Sequence, residues 1–153
     1  MMRADFVLRW GPVLLWMLVI FAASSDLGSA EHTSRFLIPF LLWLTPDISP
    51  ATLAAVQLSI RKAAHLTEYA ILGALLLRAV TVPSGRPRWQ YAAVAIALAG
   101  AFAAMDEFHQ TFVQSRTGSP HDVLIDISGA ALGLTIWWLF IRRRQKARVP
   151  AVA

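Results

Sequence analysis

The 153-residue chain carries a formal charge of +5, yet 57% of its residues are hydrophobic, only 15% are charged, and its mean hydropathy is +0.55. That apolar share is well above the globular norm and marks one membrane-embedded domain; the basic residues crowd at the ends of apolar runs, which excludes a nucleic-acid-binding stripe. No cysteine occurs, so disulfides, thiol nucleophiles and thiolate metal sites are excluded, and any nucleophile is an oxygen or a nitrogen.

Residues 10–25, WGPVLLWMLVIFAASS, form the first uncharged run, and a span over about 8–25 is expected, with Pro12 near its start where a missing N–H does little harm. The same order of basic, apolar and small residues also fits a cleaved leader; either outcome puts residue 26 onward on the far side. Residues 26–49 mix Asp26, Gly28, Glu31, His32 and Arg35 with FLIPFLLWL at 36–44, which is too short to span and is interrupted by Pro39. A short interfacial or re-entrant helix over about 34–45 is therefore expected. Ser49 and Pro50 supply an N-cap and an N1 residue for a helix reaching about Val82, of which about 60–82 spans. VPSGRPR at 82–88 is a turn, followed by an Ala- and Gly-rich third span over about 89–107. After RTGSP, Ser119 and Pro120 open a fourth span over about 120–141, and 142–153 form a basic tail. The fold class is all-α: a four-helix transmembrane bundle, a single membrane domain, with a short helix between the first two spans.

Loop charge sets the expected orientation. Arg3, Arg9, Arg78, Arg86, Arg88, Arg142, Arg143, Arg144, Lys146 and Arg148 fall on one side, and Arg35, Arg61, Lys62 and Arg116 on the other. The positive-inside rule then places both termini in the cytoplasm, with the chain multi-pass in the membrane. The start of the second span, the end of the third and the start of the fourth look outward.

Those three ends carry most of the ionisable groups. Asp106, Glu107, His109, Arg116, His121, Asp122 and Asp126 sit between two apolar runs, where each such group costs on the order of 2.5–3.5 kcal/mol in a lipid-facing helix unless it finds a partner or water. On the second span, Arg61, Lys62, His65, Glu68, Tyr69, Leu72 and Gly73 share one sector. His65 and Glu68 make an i,i+3 pair suited to general acid/base work, or to holding the helix in place. Asp106 and Glu107 point about 100° apart; Asp106 shares a face with Gln110, and one of the two acids is expected to bond Lys62 or Arg116. Ser119-x-x-Asp122 has the form of a capping box, whereas Asp122, Asp126, Gly129 and Gly133 form one stripe whose glycines admit a neighbouring helix and bring Asp126 to the seam. Arg116 is suited to clamp phosphate or carboxylate, with Lys62 as a second charge, or to neutralise Asp122. Ser24 and Ser25 become nucleophiles only if His65 reaches them. The four histidines and the carboxylates match no recognised ligand spacing, so no metal and no cofactor are expected.

RKAAHLTEYAILG at 61–73 together with DEFHQTFVQSRTGSPHDVLIDISGAALG at 106–133 resembles the two signature blocks of the VanZ-like family. Lys62, His65, Tyr69, Leu72, Gly73, Asp106, Glu107, Gln110, Arg116, Asp122, Gly129 and Gly133 match the pattern. Arg61 stands where the family often has Asp, and Asp126 where it has Asn. The resemblance implies a small multi-helix bacterial membrane protein, associated in its namesake with teicoplanin resistance; it implies no reaction.

Together these readings give an expected site with His65, Glu68, Asp106, Glu107 and Asp126 in the chemistry, and Lys62, Tyr69, Gln110, Arg116 and Asp122 in binding. The expected role is to bind or modify a lipid-linked or peptidoglycan-related envelope molecule, or a glycopeptide-related ligand, at the outer face, with membrane lipid as a partner and nucleic acid as none. The alternative is a non-enzymatic scaffold or shielding protein whose charged cluster is structural.

Overall fold

A computed structural model of the chain describes residues 2–25, 30–81, 88–116 and 118–148, with side chains over 5–25, 33–81, 88–116 and 118–144. Residues 82–87 of the expected turn, Asp26, Gly28, the side chains of Glu31 and His32, and residues 149–153 lie outside these bounds. The described elements are α1 (Met2–Ser24), α2 (Ala30–Leu44), α3 (Pro50–Val80), α4 (Trp89–Gln110) and α5 (Pro120–Arg148), with no strand among the described residues. Stretches of α1, α3, α4 and α5 are long and apolar enough to cross a membrane, and α2 is the shorter apolar helix between the first two. Outward-facing Phe6, Leu14 and Leu18 of α1, Met105 and Phe108 of α4, and Leu124 and Ile136 of α5 are each more than half exposed, as lipid contact requires.

α3 is the central element, burying Tyr69, Leu72, Leu76 and Leu77 against Val13 and Ile20 of α1, Ala95, Ala99, Phe102 and Ala103 of α4, and Ala130 and Leu134 of α5. At 31 residues it is also the longest. Its start is capped as expected, the Ser49 hydroxyl accepting from the Thr52 N–H at 3.1 Å, with Pro50 at the first helical position. α2 lies beside its first turns, where the Gln57 side-chain amide donates to the Ser34 hydroxyl at 2.7 Å.

α3 and α5 run in the same direction with their backbones in close contact. A Cβ on Gly129 would run into the Leu66 carbonyl, one on Gly133 into the Ala70 carbonyl, and one on Gly73 into the Ala130 carbonyl. The stripe read from the sequence is this seam, and α3 is the helix that the glycines admit. α1 and α4 run the opposite way, so that the ends of α1 and α4 meet the start of α5 at one end of the bundle.

Several helices run past the expected spans, α2 among them with its start at Ala30. α1 begins at Met2, so Pro12 lies inside the helix and not at its first turn, and it cannot donate to the Leu8 carbonyl. Arg78 of α3 makes good the loss, its guanidinium donating to that oxygen at 3.1 Å. α4 continues to Gln110, which puts Asp106, Glu107 and Gln110 on regular helix. α5 continues to Arg148, so the basic residues from 142 extend the helix. At the same end of the bundle, Arg9 of α1 donates to the Ala79 and Thr81 carbonyls and closes the end of α3.

Candidate functional site

The polar residues of α3, α4 and α5 converge where α1 and α4 end. On α3, His65 is buried and its Nδ1 lies 3.1 Å from Asp126 Oδ1 on α5, one helical turn beyond Lys62, whose ammonium meets Asp122 Oδ1 at 3.1 Å. The parallel register along the glycine seam produces this ladder, 62 with 122 and 65 with 126. Arg61 comes within 3.7 Å of the other Asp122 oxygen. Asp126 is fully buried, and its second oxygen, Oδ2, has no hydrogen-bond partner.

On α4, Asp106 accepts from the Ser24 hydroxyl of α1 at 2.6 Å, and from Gln110 at 3.3 Å. Glu107 accepts from Gln110 at 3.0 Å and from the backbone N–H of Ser119 at 2.7 Å. The Glu107 carboxylate thus reaches across to the start of α5, satisfying an N–H that a capping box would have given to Asp122, and favouring the helix dipole there. Neither acid of α4 bonds Lys62 or Arg116. Lys62 is taken by Asp122, and Arg116 donates through Nε and Nη2 to the Ala23 and Ser25 carbonyls, capping the end of α1.

These contacts surround a cavity of about 420 Å³ between α1, α2, α3 and the α4–α5 loop. Its polar lining comes from Ser24, Thr33, Ser34, Gln57, Arg61, His65, Glu68 and Arg116, and its apolar lining from Ala23, Leu37, Ala54, Leu58, Ile60 and Ala64. Its size lies in the ordinary range for small-ligand sites. Arg61 Nε is buried and has no partner. Burial, and then the like charge of Arg61, push the Arg116 guanidinium down from its ordinary value. An anion bound beside both guanidinium groups would offset the repulsion between them.

Of the residues selected from the sequence, His65, Glu68 and Arg116 line the cavity. Asp126 and Asp106 connect to it through His65 and Ser24, Gln110 through Asp106, and Glu107 through Gln110. Lys62 and Asp122 form an ion pair beside it. Tyr69 is fully buried, packs on Phe102 at 6.2 Å between ring centres, and has an unpartnered hydroxyl; it is not a lining residue. His65 takes Asp126 as its partner where an i,i+3 partnership with Glu68 is expected from spacing. His109 packs on Phe21 with ring centres 4.4 Å apart, and His121 is exposed. Sequence reasoning missed Ser24 as an anchor for Asp106, Arg61 as a cavity cation, and α2 as a wall. The unusual Arg at 61 was the one available signal.

Among family models, that of VanZ/LLP1 matches residues 10–141. No curated protein and no solved structure matches the chain.

Proposed function

The chain belongs to the VanZ/LLP1 family, and from that premise we propose that this multi-pass membrane protein binds a phosphate-bearing, lipid-linked envelope molecule at the outer face of the bacterial inner membrane. The observation that carries the reading is the cavity itself, which two guanidinium groups, one with an orphaned buried N–H, line together with apolar side chains. Guanidinium suits phosphate oxygens, and apolar walls suit the first carbons of an attached chain. Arg116 still has N–H groups to offer after capping α1, because a guanidinium carries five. Within the same cavity, His65 backed by Asp126 is the group placed to move a proton during any modification of the bound molecule. The outer-face placement follows from the basic loops. A link to glycopeptide resistance would follow if the bound molecule is the one such antibiotics depend on.

The test is equilibrium binding of a labelled polyprenyl phosphate, with the matching phosphate-free polyprenol as comparison, to purified protein in nanodiscs. The phosphate should bind at least tenfold more tightly than the alcohol, and Arg61→Gln should remove most of that preference. Wild-type protein that binds neither lipid, or both equally, ends the proposal.

A second reading, a non-enzymatic scaffold, draws support from the capping roles of Arg116 and Glu107, which use charge to tie helix ends together. It predicts no phosphate preference in the same measurement.

A further inference from the structure

Three carboxylates, Asp106, Glu107 and Asp126, are buried at 0%, 4% and 0% exposure, yet among the described residues no lysine or arginine lies within ion-pair distance of any of them. The nearby cations are committed elsewhere, Lys62 and Arg61 to Asp122 and Arg116 to carbonyls of α1. Carboxylates buried in this way need hydrogen bonds, protons or positive charge around them. His65 supplies at most one unit.

From α3, α4 and α5, His65, Glu107 and Asp126 each offer one donor atom, and these three atoms lie within 4.8 Å of one another. Atoms that share one ion at about 2.1 Å are separated by no more than about 4.2 Å, so small side-chain rotations would close the set. His65 Nδ1 and Asp126 Oδ1, 3.1 Å apart, already have such a spacing. Asp126 Oδ2, fully buried and without a partner, is an acceptor that the protein alone leaves unused. Glu107 is held in place by Gln110 and the Ser119 N–H, the kind of outer support that metal-binding carboxylates have.

We propose that His65, Glu107 and Asp126 form a divalent-metal site that joins α3, α4 and α5. One imidazole and two carboxylates, with no thiolate in the chain, suit a first-row ion such as Mn²⁺ or Zn²⁺ and do not suit soft ions. Binding displaces the proton shared between His65 and Asp126 and neutralises the buried carboxylates. The site shares His65 with the adjacent cavity, so with the ion bound the pair of His65 and Asp126 no longer moves a proton there.

The experiment uses the full chain, purified in phosphate-free detergent buffer, stripped with chelator, and titrated with Mn²⁺ under electron paramagnetic resonance and with Zn²⁺ under calorimetry. One ion per chain is expected, with a rise in the unfolding midpoint on metal addition. Asp126→Asn keeps the side chain's size and introduces the residue found in the VanZ-like pattern; it should weaken binding at least tenfold, as should His65→Gln, while His121→Ala binds as wild type does. Wild-type protein that holds less than a tenth of an equivalent, or Asp126→Asn protein that elutes as a folded species and binds as tightly as wild type, overturns the proposal. Because no lipid ligand is present, this outcome is separate from that of the phosphate-binding test.

Discussion

Arg116 and Glu107 take their partners from helix ends and not from each other. Arg116 stands where the chain passes the open carbonyls at the end of α1, and Glu107 where α5 presents its first N–H groups, so both are held by backbone. That could not be read from spacing. The sequence identified which side chains matter, because ionisable groups beside apolar runs must be accounted for, but the choice among partners depends on a register between helices that no local pattern contains. Lys62 is the clearest instance: Asp106 or Glu107 was its expected partner, and the parallel seam selects Asp122. Lys62→Asp should therefore lower the yield of folded protein by placing two acids face to face, and Lys62→Asp combined with Asp122→Lys should restore most of it. Size-exclusion profiles of the three proteins check this. A double variant no better than the single one would show that the pair does not stabilise the fold.

The helices themselves were legible, since span length, the Ser49–Pro50 start and the stripe of Asp122, Asp126, Gly129 and Gly133 each follow from periodicity and composition. The start of α1 was not, because Pro12 argues locally for a helix beginning nearby, and the Leu8 carbonyl it leaves open takes its donor, Arg78, from another helix. The triad of His65, Glu107 and Asp126 was hidden for a related reason: its members lie on three helices, so no ligand spacing exists to recognise. The seam gives a sharp test. In an ordinary helix Gly→Ala is favourable by about 1 kcal/mol, but at Gly133 the new methyl would meet the Ala70 carbonyl, which is backbone and cannot turn aside. Gly133→Ala should therefore destabilise the protein by about 1–3 kcal/mol, as overpacking does, and lower its thermal midpoint in detergent. Gly11, with nothing nearby, provides the contrast: Gly11→Ala should be neutral or mildly stabilising.

For the molecule as a unit, the four-span architecture and the family were legible, whereas the cavity was not, because α2 forms one wall and its docking on α3 rests on contacts such as Gln57 with Ser34. Orientation is open to direct measurement, because the chain has no cysteine of its own. A single cysteine at Gln114, in the α4–α5 loop, should react with a membrane-impermeant maleimide on intact cells, and one at Arg143 only after permeabilisation; the reverse pattern would invert the assignment of faces. The length of α3 has a further consequence. Its 31 residues extend about 46 Å, against a hydrocarbon layer of about 30 Å, so its first turns and α2 belong at headgroup depth, where the cavity has its walls. Thicker membranes would draw that vestibule into the oil and thinner ones would wet it.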